Sequence, residues 1–547
     1  MKGLHVLLLA ALLAACGRKD EAPAAPPPPA VPVADFTVLA TTDLRDAQPL
    51  EEMVLKATGV RLRFRYGGTM ESTEAVLTGE AKADAAWFAN AKYLLSSPQG
   101  QARVKLQEKI MLSPIAVGVS ESDAKRFGWD KPDLKMTWKD IALAAKAGKL
   151  NYALSNPATS NQGFMALMGV VAAASGKSEA LAAADVDRGA IADFLKGYKL
   201  PGDNSTYLSE QFVLQQGTRV NAFINYESWL LSLNASGKLR EKLRLIYPYE
   251  GVSTADYPLM LLNDQRRADY LKVVEYLKGD AAQTWLARQT LRRPIRPEVA
   301  AKVEDLLPKQ GLQVELPFSP DRTLADGLIA AYLNEFRTPI ASTFVLDTSG
   351  SMNGGGRRQQ LIEALHYIAG ADASLTGRIA RLTQREKLWF MTFSDSVRRP
   401  QAFTMPAAKA AARGVAEQDD SEATRQVLAD VRESADRLQM KGGTALYDAV
   451  YDALKLMLDE RNRSPGYQYS VVAFTDGESN QGRSLEAFKR DYAALPEDVK
   501  AIPVFMVLFG EANEQALKDL VKITGGRVFD ARKTPLYAVF KDIRAYQ

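Results

Sequence analysis

From Phe36 onward, short apolar runs alternate with stretches whose apolar residues recur at helical spacing. The pattern predicts strands over 36–40 and 61–66 and helices over 49–57 and 72–77. Parallel neighbours need a crossover, and a helix supplies it, so this βαβ rhythm means a largely parallel sheet. Residues 321–336 read as one amphipathic helix, and Thr338-Pro339 breaks it. A second α/β series then begins with the apolar run 342–346, followed by strands over 388–393, 469–474, 502–509 and 527–529. Its helices are expected over 359–368, 446–458, 485–495, 514–523 and 536–545, and the Ala- and charge-rich stretch 407–440 is helical with no role assigned. The fold class is therefore α/β, with domains over 34–337 and 338–547.

The pattern before residue 34 is different. Lys2 precedes an apolar run over 4–13 that ends in Ala14-Ala15-Cys16. A helix needs about 20 apolar residues to cross a bilayer, so this run reads as a leader rather than a span. Residues 16–33 form a Pro/Ala-rich tract with Pro26 to Pro29 in a row, which favours an extended tether. The apolar run 164–174 is interrupted by Gly169 and stops at Ser175, so it reads as a buried helix.

Leu13-Ala14-Ala15-Cys16 resembles the lipobox of bacterial lipoproteins. The resemblance implies removal of residues 1–15, acylation of Cys16 and a lipid anchor in the cell envelope. In that family Gly17, in place of Asp, favours the outer membrane facing the periplasm over the inner membrane.

Composition narrows the chemistry. The hydrophobic share of 46% and charged share of 24% are those of folded domains. A net charge of +4 with no basic face bearing interleaved aromatics gives nucleic acid nothing to track. With one cysteine, Cys16, and two histidines, His5 and His366, neither a Cys/His zinc cluster nor an intrachain disulfide can be built. A histidine-assisted nucleophile in the mature chain would have to use His366, which lies in a helical pattern suited to packing. A binding protein is expected, not an enzyme.

Ligands of parallel sheets bind beyond the carboxyl ends of the strands. In the first domain the loops there hold Thr42 and Asp43, Gly68 and Thr69, Asn90, and then Asn156, Thr159 and Ser160. The element order, with the segment Asn156-Pro157-Ala158-Thr159-Ser160-Asn161-Gln162-Gly163, resembles type 2 periplasmic solute-binding proteins. That implies two lobes closing on a small polar or anionic solute, with the helix after Ser160 directing unpaired N–H groups at it. By the same resemblance residues 113–119 lead into the second lobe and residues 220–227 lead back, adding Tyr226 and Glu227 as candidates. Asp43 and Glu227 would equally suit an amine or a cation.

In the second domain the first strand ends in Asp347-Thr348-Ser349-Gly350-Ser351-Met352. Gly442-Gly443-Thr444 precedes a later helix, and a further strand ends in Thr475-Asp476-Gly477. Together these resemble von Willebrand factor A domains, which implies a doubly wound, Rossmann-like fold and a metal-ion-dependent adhesion site. The implied ligands are Asp347, Ser349, Ser351, Thr444 and Asp476. Such oxygen donors suit Mg²⁺, with Mn²⁺ or Ca²⁺ as alternatives. The resemblance further implies an open coordination position for an Asp or Glu of a protein partner.

The function expected is an anchored extracytoplasmic binding protein that captures a solute in one domain and a protein partner in the other. The alternative is the solute-binding component of an ABC importer with an accessory C-terminal domain. A metal-assisted hydrolase would need a general base, for which Glu478 is the extra carboxylate close in sequence.

Overall fold

The computed structural model describes residues 34–547 apart from 132–133, 178–180, 203–204, 309–313, 320, 408–420, 477–478, 510–513, 535 and 547. Cys16 with its flanks, and Glu478, lie outside the described residues.

Strands β1 (Asp35–Thr41), β2 (Arg61–Gly67), β3 (Ala85–Trp87) and β4 (Leu106–Lys109) come first. They are followed by β5 (Met111–Ser120), β6 (Tyr152–Ser155), β7 (Tyr198–Gly202), β8 (Ala222–Tyr226) and β9 (Leu243–Ile246). The short strands β10 (Thr254–Ala255), β11 (Pro258–Leu261) and β12 (Arg293–Pro294) close the first domain. Among the described residues these strands form two sheets. The first has the order β2-β1-β3-β11-β4, with β1 parallel to β2 and β3, and β11 antiparallel to both its neighbours. In the second, β6 runs parallel to β7 and β8, while β5 runs antiparallel to β8 on one side and β9 on the other. Both lobes thus follow one plan, in which a parallel core takes in an antiparallel strand that arrives by crossing between them.

The crossing back is not where the sequence placed it. Residues 220–227 hold β8, an interior strand of the second sheet paired with β5 and β6. The chain returns through β10 and β11, and β11 inserts between β3 and β4. A strand buried on both faces reads as an apolar run whether it crosses a hinge or fills a sheet. Hydropathy therefore could not separate the two.

The helix expected over 321–336 is an α-helix over Arg322–Ala331 that widens into a π-turn over Tyr332–Phe336. Asp321 caps it, its carboxylate accepting from the Thr323 amide at 2.8 Å.

The C-terminal sheet contains β13 (Ile340–Asp347), β14 (Lys387–Phe393), β15 (Gln401–Thr404), β16 (Gln468–Thr475), β17 (Val504–Leu508) and β18 (Val528–Asp530). Its order is β15-β14-β13-β16-β17-β18, parallel except for the edge strand β15. Every residue of β13 is buried, because its sheet is covered on both faces. On one face Phe344 packs with Phe474 and Phe540, and on the other Val345 and Ala473 meet Leu454 and Met457. Strand order reverses at β13, which puts the crevice of a doubly wound sheet at the carboxyl ends of β13 and β16.

Residues Asp35–Gln547 form one compact unit. The C-terminal domain touches both lobes. The Glu74 carboxylate of the first lobe accepts from the Leu375 and Thr376 amides at 2.7 and 3.1 Å and from the Thr376 hydroxyl at 2.7 Å. In the second lobe, Tyr207 meets Tyr546 edge to face with ring centroids 4.5 Å apart.

Candidate functional site

The crevice of the C-terminal sheet gathers residues far apart in the chain. In the parallel register Leu346 lies opposite Phe474, so the next residues, Asp347 and Thr475, reach the sheet edge side by side. Asp347 is fully buried, and its carboxylate accepts from the Ser349 amide at 2.8 Å and the Thr475 hydroxyl at 2.7 Å. The Ser349 and Ser351 hydroxyls are 3.0 Å apart, and Ser351 donates to Asp476 Oδ1 at 2.7 Å. Asp347, Ser349, Ser351 and Asp476 are thus joined in one continuous hydrogen-bonded chain, through the Ser349 amide at Asp347 and through the two serine hydroxyls from there to Asp476.

Thr444 stands on the adjoining loop between the other two. The Gly350 amide donates to the Gly442 carbonyl at 2.9 Å and the Lys441 amide to the Thr348 carbonyl at 2.7 Å. On the far side, Asn480 Oδ1 accepts from the Thr444 amide at 2.8 Å. The buried Thr444 is thereby fixed beside both strand-end loops.

Burial pushes the Asp347 carboxyl above its ordinary range; the nearby Asp476 charge adds to this, and the Ser349 and Thr475 hydrogen bonds oppose it. Asp476 is paired with Arg357, whose Nη1 lies 2.6 Å from Oδ2. Among the described residues no cluster of three or more His, Cys, Asp or Glu side chains is placed to hold a metal. The donor set here is of another kind, two carboxylates with neutral hydroxyls. Two buried carboxylates among hard neutral oxygens, with Arg357 the cation paired to them among the described residues, fit a hard divalent ion. His366 lies on the helix Arg357–His366 and faces Asp436, Nε2 to Oδ1 2.9 Å.

A second site lies between the lobes. A cavity of about 410 Å³ is lined by Thr42, Asp43, Gly68 and Thr69 from the first lobe and by Thr159, Ser160 and Tyr226 from the second. Gly163 lets the helix Asn161–Ser175 start hard against β6, since a Cβ there would lie 2.0 Å from the Ser155 carbonyl oxygen. Three buried polar atoms in the wall, Asp43 Oδ2, Tyr66 Oη and Thr159 Oγ1, have no hydrogen-bond partner among the described residues. Leaving such groups unpaired costs about 1–3 kcal/mol each, so the cavity suits a polar ligand. A larger groove of about 1120 Å³ runs behind the hinge, but its charged groups are already paired, as in Lys92–Glu315 and Lys109–Asp256.

Three sequence candidates fall outside this cavity. Asn90 serves the hinge, its Nδ2 donating to the Thr254 carbonyl at 3.3 Å and its Oδ1 accepting from the Lys92 amide at 2.7 Å. Asn156 shapes the turn that presents Thr159 and Ser160, accepting from the Ala158 amide at 2.9 Å. Glu227 is fully buried in a bidentate pair with Arg293, at 2.7 and 2.8 Å, and also accepts from Tyr247. Its carboxylate is thus taken up by Arg293 of β12 and by Tyr247, away from the cavity wall.

Sequence reasoning missed other parts of the wall. Arg45 lies over the Tyr66 ring at 4.7 Å, and the Tyr66 hydroxyl is pushed up to about 12, first by burial and then by the Glu51 charge. Arg292, fully buried, donates to the Asp43 carbonyl at 2.7 Å and to Asp46 at 2.6 Å, which fixes the loop after β1. A pair of arginines between Leu291 and Pro294 was the available signal. No local signal marked the third wall of the cavity, which comes from the C-terminal domain: Thr376, Ile379, Thr534, Ala538 and Asp542.

Two family models match the chain. Residues 36–292 match that of bacterial extracellular solute-binding proteins, and residues 343–541 match the von Willebrand factor type A domain. No curated protein matches the chain. Among solved structures, the chain is similar to the ferric binding protein from Campylobacter jejuni, at 13% identity over 53% of this chain and 94% of that one, TM-score 0.39. Apo ferric ion-binding protein A of Pasteurella haemolytica gives 10%, 55%, 96% and 0.41. The periplasmic binding protein AfuA from Actinobacillus pleuropneumoniae, with fructose-6-phosphate bound, gives 12%, 55%, 98% and 0.39. At such low identities and TM-scores they carry no argument about the ligand of the cavity.

Proposed function

The chain carries a bacterial extracellular solute-binding domain followed by a von Willebrand factor type A domain, and we propose that it acts outside the cytoplasm as a binding protein with two sites. The first is the interlobe cavity, which takes a small polar solute. The second is the crevice at β13 and β16, where Asp347, Ser349, Ser351, Thr444 and Asp476 would hold a divalent cation, Mg²⁺ first. A cation held there supplies an electrophilic position for an Asp or Glu carboxylate of a partner protein. Lipid anchoring through Cys16 completes the proposal and keeps both sites at the envelope.

The observation that supports the second site is the unbroken hydrogen-bonded chain from Asp347 to Asp476 at a topological switch point. The residues of this chain do the positioning. Thr475 and the Ser349 amide orient the Asp347 carboxylate, Ser351 orients that of Asp476, and Asn480 holds the backbone of Thr444. Both carboxylates are engaged as acceptors, which suits ligation rather than proton transfer, so the reading is of binding without catalysis.

The test is affinity capture from envelope extract with the full chain and its Asp347→Ala variant, each in MgCl₂ and in EDTA. Proteins retained by the intact chain in MgCl₂ and lost in the other three arms are expected. A retained set that is the same in all four arms overturns the metal-dependent reading and leaves a solute-binding protein.

A further inference from the structure

We propose that Arg357 is a built-in stand-in cation, a positioning residue that holds the Asp476 carboxylate while no metal is bound and gives way when a divalent ion enters. This rests on the metal-binding reading of the crevice.

The geometry is that of a cation seated inside a ligand set. Arg357 Nη1 is 2.6 Å from Asp476 Oδ2 and 3.1 Å from the Ser351 carbonyl oxygen, so one nitrogen touches two of the residues that supply metal donors. The Asp476 side chain is fully buried, whereas that of Arg357 is 28% exposed. The carboxylate is therefore fixed, and the guanidinium reaches it from the rim.

The local chain permits the guanidinium to leave. Arg357 opens its helix directly after Gly354-Gly355-Gly356, and the atoms of its own side chain are the nearest neighbours a Cβ at Gly354 or Gly355 would meet, at 3.8 Å. No bulky side chain of that loop pens it in. The next residue does the anchoring instead: Arg358 donates to the Leu438 and Asp436 carbonyls at 3.0 and 3.1 Å. The helix can stay in place while the Arg357 side chain swings.

Charge sets the two cations in competition for the same carboxylate. Asp347 and Asp476 with Arg357 carry a net single negative charge, and exchange of the guanidinium for a divalent ion brings the pair to neutrality. Holding both would put three positive charges against two in a largely buried crevice, where repulsion is weakly screened. Metal affinity is thus set by an exchange, and the guanidinium keeps it low.

The experiment is a calorimetric titration of Mn²⁺ into the full chain, Arg357→Gln and Arg357→Lys, with thermal melts in EDTA and in saturating MnCl₂. Arg357→Gln is expected to bind Mn²⁺ about tenfold tighter or more, from loss of the competing charge. Its Tm is expected to fall in EDTA and to recover in MnCl₂, while Arg357→Lys follows the parent chain. Equal or weaker Mn²⁺ binding by Arg357→Gln overturns the proposal, as does an equal gain in Arg357→Lys. Binding of Mn²⁺ by none of the three proteins overturns the metal site itself, an outcome distinct from equal affinities, which remove the role of Arg357 alone.

Discussion

The Gly350 amide donates to the Gly442 carbonyl at 2.9 Å, and this bond fastens the loop after β13 to the loop that carries Thr444. Gly442 has φ +86°, and a Cβ there would lie 2.3 Å from Asp395 Oδ2, whose other oxygen accepts from the Gly443 amide at 2.7 Å. Gly442→Ala is therefore expected to cost about 1–2 kcal/mol in backbone strain and to push Asp395 off the loop. Thermal melts with Mn²⁺ titration check this: lower stability together with weaker Mn²⁺ binding is expected, and unchanged affinity would show that the position of Thr444 does not matter.

Glu386 joins the segment entering β13 to the last helix. Its carboxylate accepts from Arg544 at 2.7 Å through each oxygen, pairs closely with Arg337, and accepts from the Thr383 hydroxyl at 2.8 Å. Burial pushes its carboxyl up, but the Arg544 and Arg337 guanidiniums outweigh burial and hold it below the ordinary 4.5. A folded-state value below the unfolded one stabilises above pH 4.5, and that contribution is lost as pH falls through the folded value. Glu386→Ala leaves two buried guanidiniums without their carboxylate and should cost about 3–5 kcal/mol at pH 7. In urea melts the gap between parent and variant is expected to narrow in acid; a gap independent of pH would contradict the pairing.

The solute cavity has a wall from each of three bodies of the chain. Ile379→Trp fills it from the C-terminal side, and Asp43→Asn removes the carboxylate whose Oδ2 is unpartnered. Both variants are expected to lose the rise in Tm that a low-molecular-mass envelope extract gives the full chain. If Ile379→Trp keeps that rise while Asp43→Asn loses it, the two lobes bind solute without help from the C-terminal domain.

The two strands of the C-terminal crevice were legible because each is a buried-strand run ending abruptly in polar residues, Ser342 to Leu346 before Asp347 and Tyr469 to Phe474 before Thr475. The helices read over 49–57, 485–495, 514–523 and 536–545 were legible to within a few residues, whereas the period itself changes in the π-turn at Tyr332–Phe336, and the stretch 407–440, of which 408–420 lie outside the described residues, is helical over Glu422–Asp436. What depended on distant partners was not legible. Glu227 looks like any loop carboxylate until Arg293, 66 residues later, is folded against it. The edge strand β15 buries little besides Phe403, so its pattern carried no signal. The cover that the helix Leu375–Ala380 provides over the cleft is a matter of packing between domains, which periodicity does not encode.

The most direct measurement is anomalous scattering from crystals of the full chain grown in MnCl₂. A single strong manganese peak within bonding distance of Asp347, Ser349, Ser351, Thr444 and Asp476, directly or through water, is the predicted result. Crystals that diffract well and show no peak at the carboxyl ends of β13 and β16 would contradict it.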